Sequence, residues 1–202
     1  MPIISLKREK VVGELHNDII EKMTRIFWKQ KEKGIKNGIK GFILYGPPGT
    51  GKTTIANTVI YDTLSRLGLL EKNDDYVYKR LNLADIARAK YGETESIISK
   101  AFDDAIRSAS NHGFYILSMV DVDGLFPTRN YERLDAWYIG HLNVLFSKLD
   151  QIDTNRVGII MTTNREDLVD EAVKSRLVSF NIPAIDIKTA ELRVEQRLKE
   201  LQ

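Results

Sequence analysis

The sequence predicts an α/β fold with a parallel or mostly parallel sheet covered by helices on both faces, and three observations carry that expectation. Five short apolar runs of strand length recur along the chain, stretches of helical period separate them, and a glycine-rich loop stands at the first strand-to-helix junction. Parallel neighbours need crossover connections, and helices supply them. The chain has 202 residues, 43% of them hydrophobic, enough for one domain with a substantial core, and residues 1–202 read as a single unit.

The first element is a helix over 14–28, where Leu15, Ile19, Met23 and Ile26, flanked by Ile20 and Phe27, recur at three- and four-residue spacings. The Lys-rich stretch from Lys29 to Lys40, carrying Gly34 and Gly38, is expected to break it. GFILY at 41–45 is the first strand, and a helix follows from about residue 52. YVYKRLN at 76–82 is the second strand, a helix covers 94–109, and FYILSMV at 114–120 is the third strand. In the helix at 134–149, Leu134, Leu142, Leu145 and Leu149 hold core spacing, and Trp137 and Tyr138 beside them read as packing residues. VGIIMTT at 157–163 and LVSFNI at 177–182 complete the strands. A last helix starts near 187, with Val194, Leu198 and Leu201 at helical spacing. Pro2, Pro47, Pro48, Pro127 and Pro183 all fall at turns or strand ends, and no repeat or Pro-rich linker divides the chain.

Composition narrows the function classes. Lys and Arg number 30 against 28 Asp and Glu, a net charge of +2, so no global field draws the chain to nucleic acid or an acidic membrane. Without cysteine, disulfides, thiol catalysis and Cys-ligated zinc are excluded, and a reducing compartment fits. The apolar runs fall far short of the roughly 20 residues that span a bilayer, and the amino-terminal residues lack a signal peptide's apolar core. A soluble cytoplasmic protein is expected. His16, His112 and His141 are scattered without a second ligand at metal spacing, so no metal site built on histidine is expected.

Residues 46–53 read GPPGTGKT: a glycine, four residues, then Gly-Lys-Thr, between a predicted strand and a predicted helix. At average composition a chain of this length matches that pattern by chance on the order of 0.01 times. Gly46, Gly49 and Gly51 let backbone N–H groups curl round a polyphosphate at a helix N-terminus, where unpaired donors and the helix dipole favour anions. Lys52 is placed to neutralise the β- and γ-phosphates, and the Thr53 hydroxyl to bind Mg²⁺.

With these residues the sequence resembles the AAA+ ATPases, specifically the AAA branch, over roughly residues 11–200. GFILYGPPGTGKT is similar to that family's first strand and Walker A loop, and Val12-Gly13 resembles the segment lying against the adenine. LADIARAKYGETESIISKAF resembles the second helix, pore loop and following helix. There Lys90-Tyr91-Gly92 stands where the family often has an aromatic, an aliphatic and a glycine, with one residue missing. LNVLFSKLDQI and VGIIMTTNRED resemble the second region of homology, which makes Asn164 the sensor-1 residue that orients water or senses the γ-phosphate. DEAVKSRLVSF is similar to the stretch ending in the arginine finger, at Arg176; Lys174 stands where many relatives carry a further arginine, and Arg165 is a weaker candidate.

The resemblance implies a P-loop NTPase binding ATP and Mg²⁺ through Gly46, Pro47, Pro48, Gly49, Thr50, Gly51, Lys52, Thr53 and Thr54, with Val12 and Gly13 at the adenine. Lys52, Asp121, Asn164 and a neighbour's Arg176 would serve hydrolysis, Thr53 and Asp121 the metal, and Tyr91 a protein client. A ring, a hexamer by resemblance, is the implied assembly. The family continues into a helical lid; the chain's last helix, 187–202, leads toward where that lid would begin, so the lid is expected to be largely absent.

Walker B departs from the pattern, which ends the third strand in Asp-Glu. Here the text is SMVDVDGLFPTR. In one register Val120 takes the place of the Mg²⁺-organising Asp and Asp121 that of the catalytic Glu. In the other Asp121 is the metal residue and Val122 falls at the base, with Asp123 expected on the same face as Asp121 by strand alternation. Either pair is incomplete, so slow hydrolysis is expected. Each assignment has a plainer alternative: carboxylates opening a polar loop at 121 and 123, a turn asparagine at 164, a surface arginine paired with a local acid at 176, a capped surface aromatic at 91. Two rival functions follow, a nucleotide-dependent switch with little hydrolysis, and an ATPase acting on DNA or replication proteins through Lys29, Lys31, Lys33, Lys36 and Lys40.

Overall fold

The computed structural model describes residues 6–11, 13–71, 77–82, 93–125, 136–168, 171–184, 190–192, 194, 195 and 198. Its helices are α1 (Glu14–Glu32), α2 (Lys52–Arg66), α3 (Glu93–His112), α4 (Ala136–Asp150) and α5 (Glu171–Lys174). The strands are β1 (Gly41–Tyr45), β2 (Tyr78–Asn82), β3 (Tyr115–Val120), β4 (Val157–Thr163) and β5 (Val178–Asn181), with 3₁₀ turns at Val122–Leu125 and Glu166–Leu168. Helical turns recur at 190–192 and 194–195, on the predicted last helix.

The five strands form one sheet in the order β2-β3-β4-β1-β5, and each neighbouring pair is parallel. Alternation along the strands divides the core into two layers. Phe42, Leu44, Ile116 and Ile160 face α1 and α2, against Met23, Phe27, Ile55 and Val59. Ile43, Leu117, Met119, Ile159 and Met161 face the other way, against Ile98, Phe102, Leu145 and Leu149 of α3 and α4. Both faces are thereby covered, as the near-continuous apolar strands require. Among the described residues no helix is long and apolar enough to cross a membrane.

One element corrects the expectation. The Lys-rich stretch does not break α1 at Lys29; the helix runs on to Glu32 and turns at Gly34, with φ 64°. Lysine and glutamine are good helix formers, and positive side chains in the last turn favour the helix's negative end. Gln30 also holds the returning chain: its Oε1 accepts from the Ile39 N–H at 2.6 Å and its Nε2 donates to the Ile39 oxygen at 3.0 Å. Upstream, residues 6–11 lie against α2, where Arg8 donates to both carboxylate oxygens of Asp62 at 2.7 and 3.0 Å.

Phe27 sits where the sheet leaves it room. A Cβ at Gly158 of β4 would lie 2.7 to 3.0 Å from three atoms of the Phe27 ring, which is fully buried. Gly158→Ala therefore overpacks the α1 face and is expected to destabilise the fold by about 1–3 kcal/mol, seen as a drop in urea midpoint at unchanged m-value.

Candidate functional site

All five strands end on one edge of the sheet, and in open α/β sheets ligands bind beyond that edge. The loop from Gly46 to Gly51 leaves β1 there and enters α2. Its turns rest on left-handed backbone at Gly46, Gly49 and Gly51, with φ 144°, 78° and 94°. Gly46 is doubly constrained, since a Cβ on it would lie 2.1 Å from the Ile182 oxygen. Gly51 is the N-cap of α2, which has no side-chain cap and no acidic residue in its first turn. A helix N-terminus left without an internal anion is suited to an external one.

Lys52 opens that helix. Its Nζ donates to the oxygens of Gly46 at 2.8 Å and Pro47 at 2.7 Å, and Thr50 Oγ1 donates to the same Pro47 oxygen at 3.0 Å. Burial holds the Lys52 ammonium below the ordinary lysine value, while the carboxylates of Asp123 and Asp121 act in the opposite direction. A cavity of about 490 Å³ opens in front of the loop, lined by Pro48, Gly49, Gly51, Lys52, Thr53, Thr54, Asp121 and Asn164. Gly46, Pro47 and Thr50 belong to the same loop but are not among the lining residues, and Gly13, with φ 112°, is the N-cap of α1. Val12 and Tyr91 lie outside the described residues.

The segment after β3 decides which carboxylate faces the cavity. The strand stops at Val120, Asp121 takes φ 55°, and the 3₁₀ turn starts at Val122. Asp121 N–H donates to Thr162 Oγ1 at 3.2 Å. Val120 and Val122 are both buried, and Val122 joins the core on the α3 and α4 side. The expected alternation of Asp121 and Asp123 on one strand face does not hold, because no strand remains past Val120. Asp123 instead gathers the end of β4: its carboxylate accepts from Thr163 Oγ1, from the Asn164 N–H at 3.1 and 3.2 Å, and from Asn164 Nδ2 at 3.1 Å. Asp121 is thus the carboxylate lining the cavity, and Asp123 the acceptor that fixes Asn164 beside it.

Arg176 is not among the lining residues. Its guanidinium donates to the two carboxylate oxygens of Asp150 at 3.1 Å each and to the Ala172 oxygen at 3.1 Å, and lies 4.7 Å from the centre of the Phe146 ring. The plainer alternative, an arginine paired with a local acid, therefore describes its contacts within one chain. Arg165 pairs with Asp167. In the basic run, Lys40 Nζ donates to the oxygens of Leu149 and Asp150 at 2.9 Å and so caps α4. That charge is spent inside the fold.

The donors present fit a Mg²⁺-nucleotide: backbone N–H groups at an uncapped helix end and an ammonium suit phosphate oxygens, and a hydroxyl and carboxylate suit a hard cation. Asp123, against Asn164, and His16, against the Thr50 oxygen, make contacts at the site that sequence reasoning did not assign. Their partners lie 41 and 34 positions away, beyond the reach of local spacing.

A sequence model of the ATPase family associated with various cellular activities (AAA) matches residues 42–183. The chain is 32% identical to vesicular-fusion protein sec18 of Schizosaccharomyces pombe over 144 residues, 68% of this chain and 17% of that protein. It is 29% identical to the 26S proteasome regulatory subunit 8 homolog of Saccharomyces cerevisiae over 170 residues, 80% of this chain and 38% of that protein. Among solved structures, the crystal structure of the FIGL-1 AAA domain in complex with ADP matches with a TM-score of 0.69 at 20% identity, over 98% of this chain and 64% of that one. That likeness concerns the fold. The chain spans well under half the length of these two curated relatives.

Proposed function

The chain belongs to the AAA family of ATPases, and from that premise we propose that it binds Mg-ATP and hydrolyses it slowly, as one subunit of a ring acting on a protein client. The convergence of the glycine loop, Lys52, Thr53, Asp121 and Asn164 on one cavity carries this reading. Residues Gly46 to Thr54 would hold the phosphates, and Gly13 with Val12 the adenine side. Lys52 would exchange its two carbonyl partners for phosphate oxygens. Thr53 and Asp121 would hold Mg²⁺, which would supply positive charge to offset that of the phosphates. The Asn164 amide, fixed by Asp123, would orient the attacking water.

The slow step follows from the carboxylates among the described residues. Asp123 already accepts from Thr163 and Asn164, and Val120 and Val122 are buried hydrocarbon. Asp121 is left with both the metal and the water, and a positioned base normally contributes about 10²–10⁴-fold. The same observation favours a second reading, a nucleotide-dependent assembly switch that barely turns over. A protein client is supported by the names of the relatives, one a vesicular-fusion protein and one a proteasome subunit, with Tyr91 as the proposed contact. The absence of cysteine supports a cytoplasmic setting.

Ring formation is tested through Arg176, which stands outside its own chain's cavity. Phosphate release per subunit is expected to rise with protein concentration, as sites are completed between chains. Arg176→Ala is expected to flatten that rise and lower turnover about tenfold, less than a full arginine finger supplies because the starting rate is low. ATP affinity measured on the same variant is expected to stay within about twofold. A concentration-independent rate in the wild type would remove the ring from the reading.

A further inference from the structure

His16 supports the phosphate loop from behind. It lies in the first turn of α1 and is 5% exposed, and its Nε2 is 3.0 Å from the backbone oxygen of Thr50, 34 positions later. A carbonyl oxygen only accepts, so Nε2 carries the hydrogen, in the neutral ring or the charged one. That oxygen belongs to the peptide joining Thr50 to Gly51. In a trans peptide the C=O and N–H point in opposite directions, so an oxygen held toward α1 turns the Gly51 N–H away from it. Gly51 lines the cavity.

This peptide needs an external restraint. Gly51 sits at φ 94° and ψ 17°, and glycine passes between positive and negative φ at little cost. Rotation of the peptide about its ends would bring a carbonyl dipole, not an N–H, to the phosphates. The His16 hydrogen bond opposes that rotation. The Thr50 hydroxyl then carries the restraint to Pro47, whose oxygen also receives Lys52.

We propose that His16 is a positioning residue of the nucleotide site, its Nε2–H holding the Thr50–Gly51 peptide with the oxygen turned away from the phosphates and the N–H available to them. The proposal rests on the reading of the cavity as a nucleotide site. No charge change is required of His16, because both ring states donate from Nε2.

The test is calorimetric titration of ADP into the full chain, comparing wild type, His16→Leu, His16→Asn, His16→Gln and Lys52→Ala, with the thermal midpoint of each protein. His16→Leu fills the buried space without a donor and is expected to weaken ADP binding about tenfold. His16→Asn, whose amide nitrogen stops short of Thr50, is expected to lose as much. His16→Gln places its Nε2 the same number of bonds from Cα as the imidazole Nε2, and is expected to restore affinity to within about threefold of wild type. A packing role alone would make affinity follow the thermal midpoints and would not separate Gln from Asn. Equal ADP affinity in the Asn and Gln variants overturns the proposal, and this comparison stands even if the Leu variant does not fold. If Lys52→Ala loses ADP and every His16 variant keeps it, the nucleotide site stands and the role of His16 falls. If Lys52→Ala binds ADP as wild type does, the nucleotide reading itself falls.

Discussion

Lys52→Ala is expected to lower ATP affinity and phosphate release by about 10³-fold, equivalent to about 4 kcal/mol. Charge-assisted hydrogen bonds to phosphate contribute about 1.5–3 kcal/mol each, and the ammonium has donors for more than one. In the free chain those donors are met by the Gly46 and Pro47 oxygens, so the loop is held in shape before nucleotide arrives. The variant loses that brace but also a desolvated charge, and its thermal midpoint should move little. Titration of a fluorescent ATP analogue together with a phosphate-release assay checks both numbers, and wild-type values in the variant would refute the site.

Lys52 also sets a pH dependence. Its folded value lies below the ordinary lysine value because of burial, against the opposing effect of Asp123 and Asp121. Between the folded and ordinary values the unfolded chain binds more protons, so the free fold gains stability as pH rises through that window. Nucleotide binding that depends on the ammonium declines over the same window.

The second large effect is a gain. Val120→Asp combined with Asp121→Glu supplies the missing carboxylate in the register that places Val120 at the metal position, and turnover is expected to rise about 10²-fold. Val120 is 2% exposed and pairs with Asn82 across the β2 and β3 ladder, so the new carboxylate is buried. An uncompensated buried carboxylate costs several kcal/mol, and Mg²⁺ with nucleotide is expected to restore most of it. The double variant should therefore melt lower in EDTA and recover with Mg-ADP, while wild type responds less. A folded, Mg²⁺-responsive variant with unchanged turnover would show that the missing carboxylate does not limit the rate.

The three central strands β1, β3 and β4 were legible in the sequence because strands buried on both faces leave uninterrupted apolar runs. VGIIMTT is an example: every residue of β4 is buried. The phosphate loop was legible because its glycines and lysine must follow one another in the chain to build one turn. The end of α1 was not, since a run of lysines looks like a break when its helix propensity and the buried anchor Gln30 are left out. The Walker B region was legible only as an anomaly. Reading Asp121 and Asp123 by strand period failed because a positive φ at Asp121 and a 3₁₀ turn replace the strand where the site begins. Arg176 illustrates the other limit: its sequence context resembles a finger for a neighbouring chain, whereas Asp150 and Phe146, which hold it in this fold, come to it only in three dimensions.

The strand that ends the sheet bears on the tempo of the site. β5 has a single strand partner, is four residues long and is nowhere fully buried, the features of a segment that opens locally before the rest of a fold does. Yet the residue that follows it, Ile182, donates its N–H to the Tyr45 oxygen at 2.7 Å and presses its own oxygen against Gly46. The root of the phosphate loop is therefore braced by the residue that closes an edge strand of the sheet. Opening of that edge would remove a wall from the loop, and would tie the residence of a phosphate there to the opening frequency of β5.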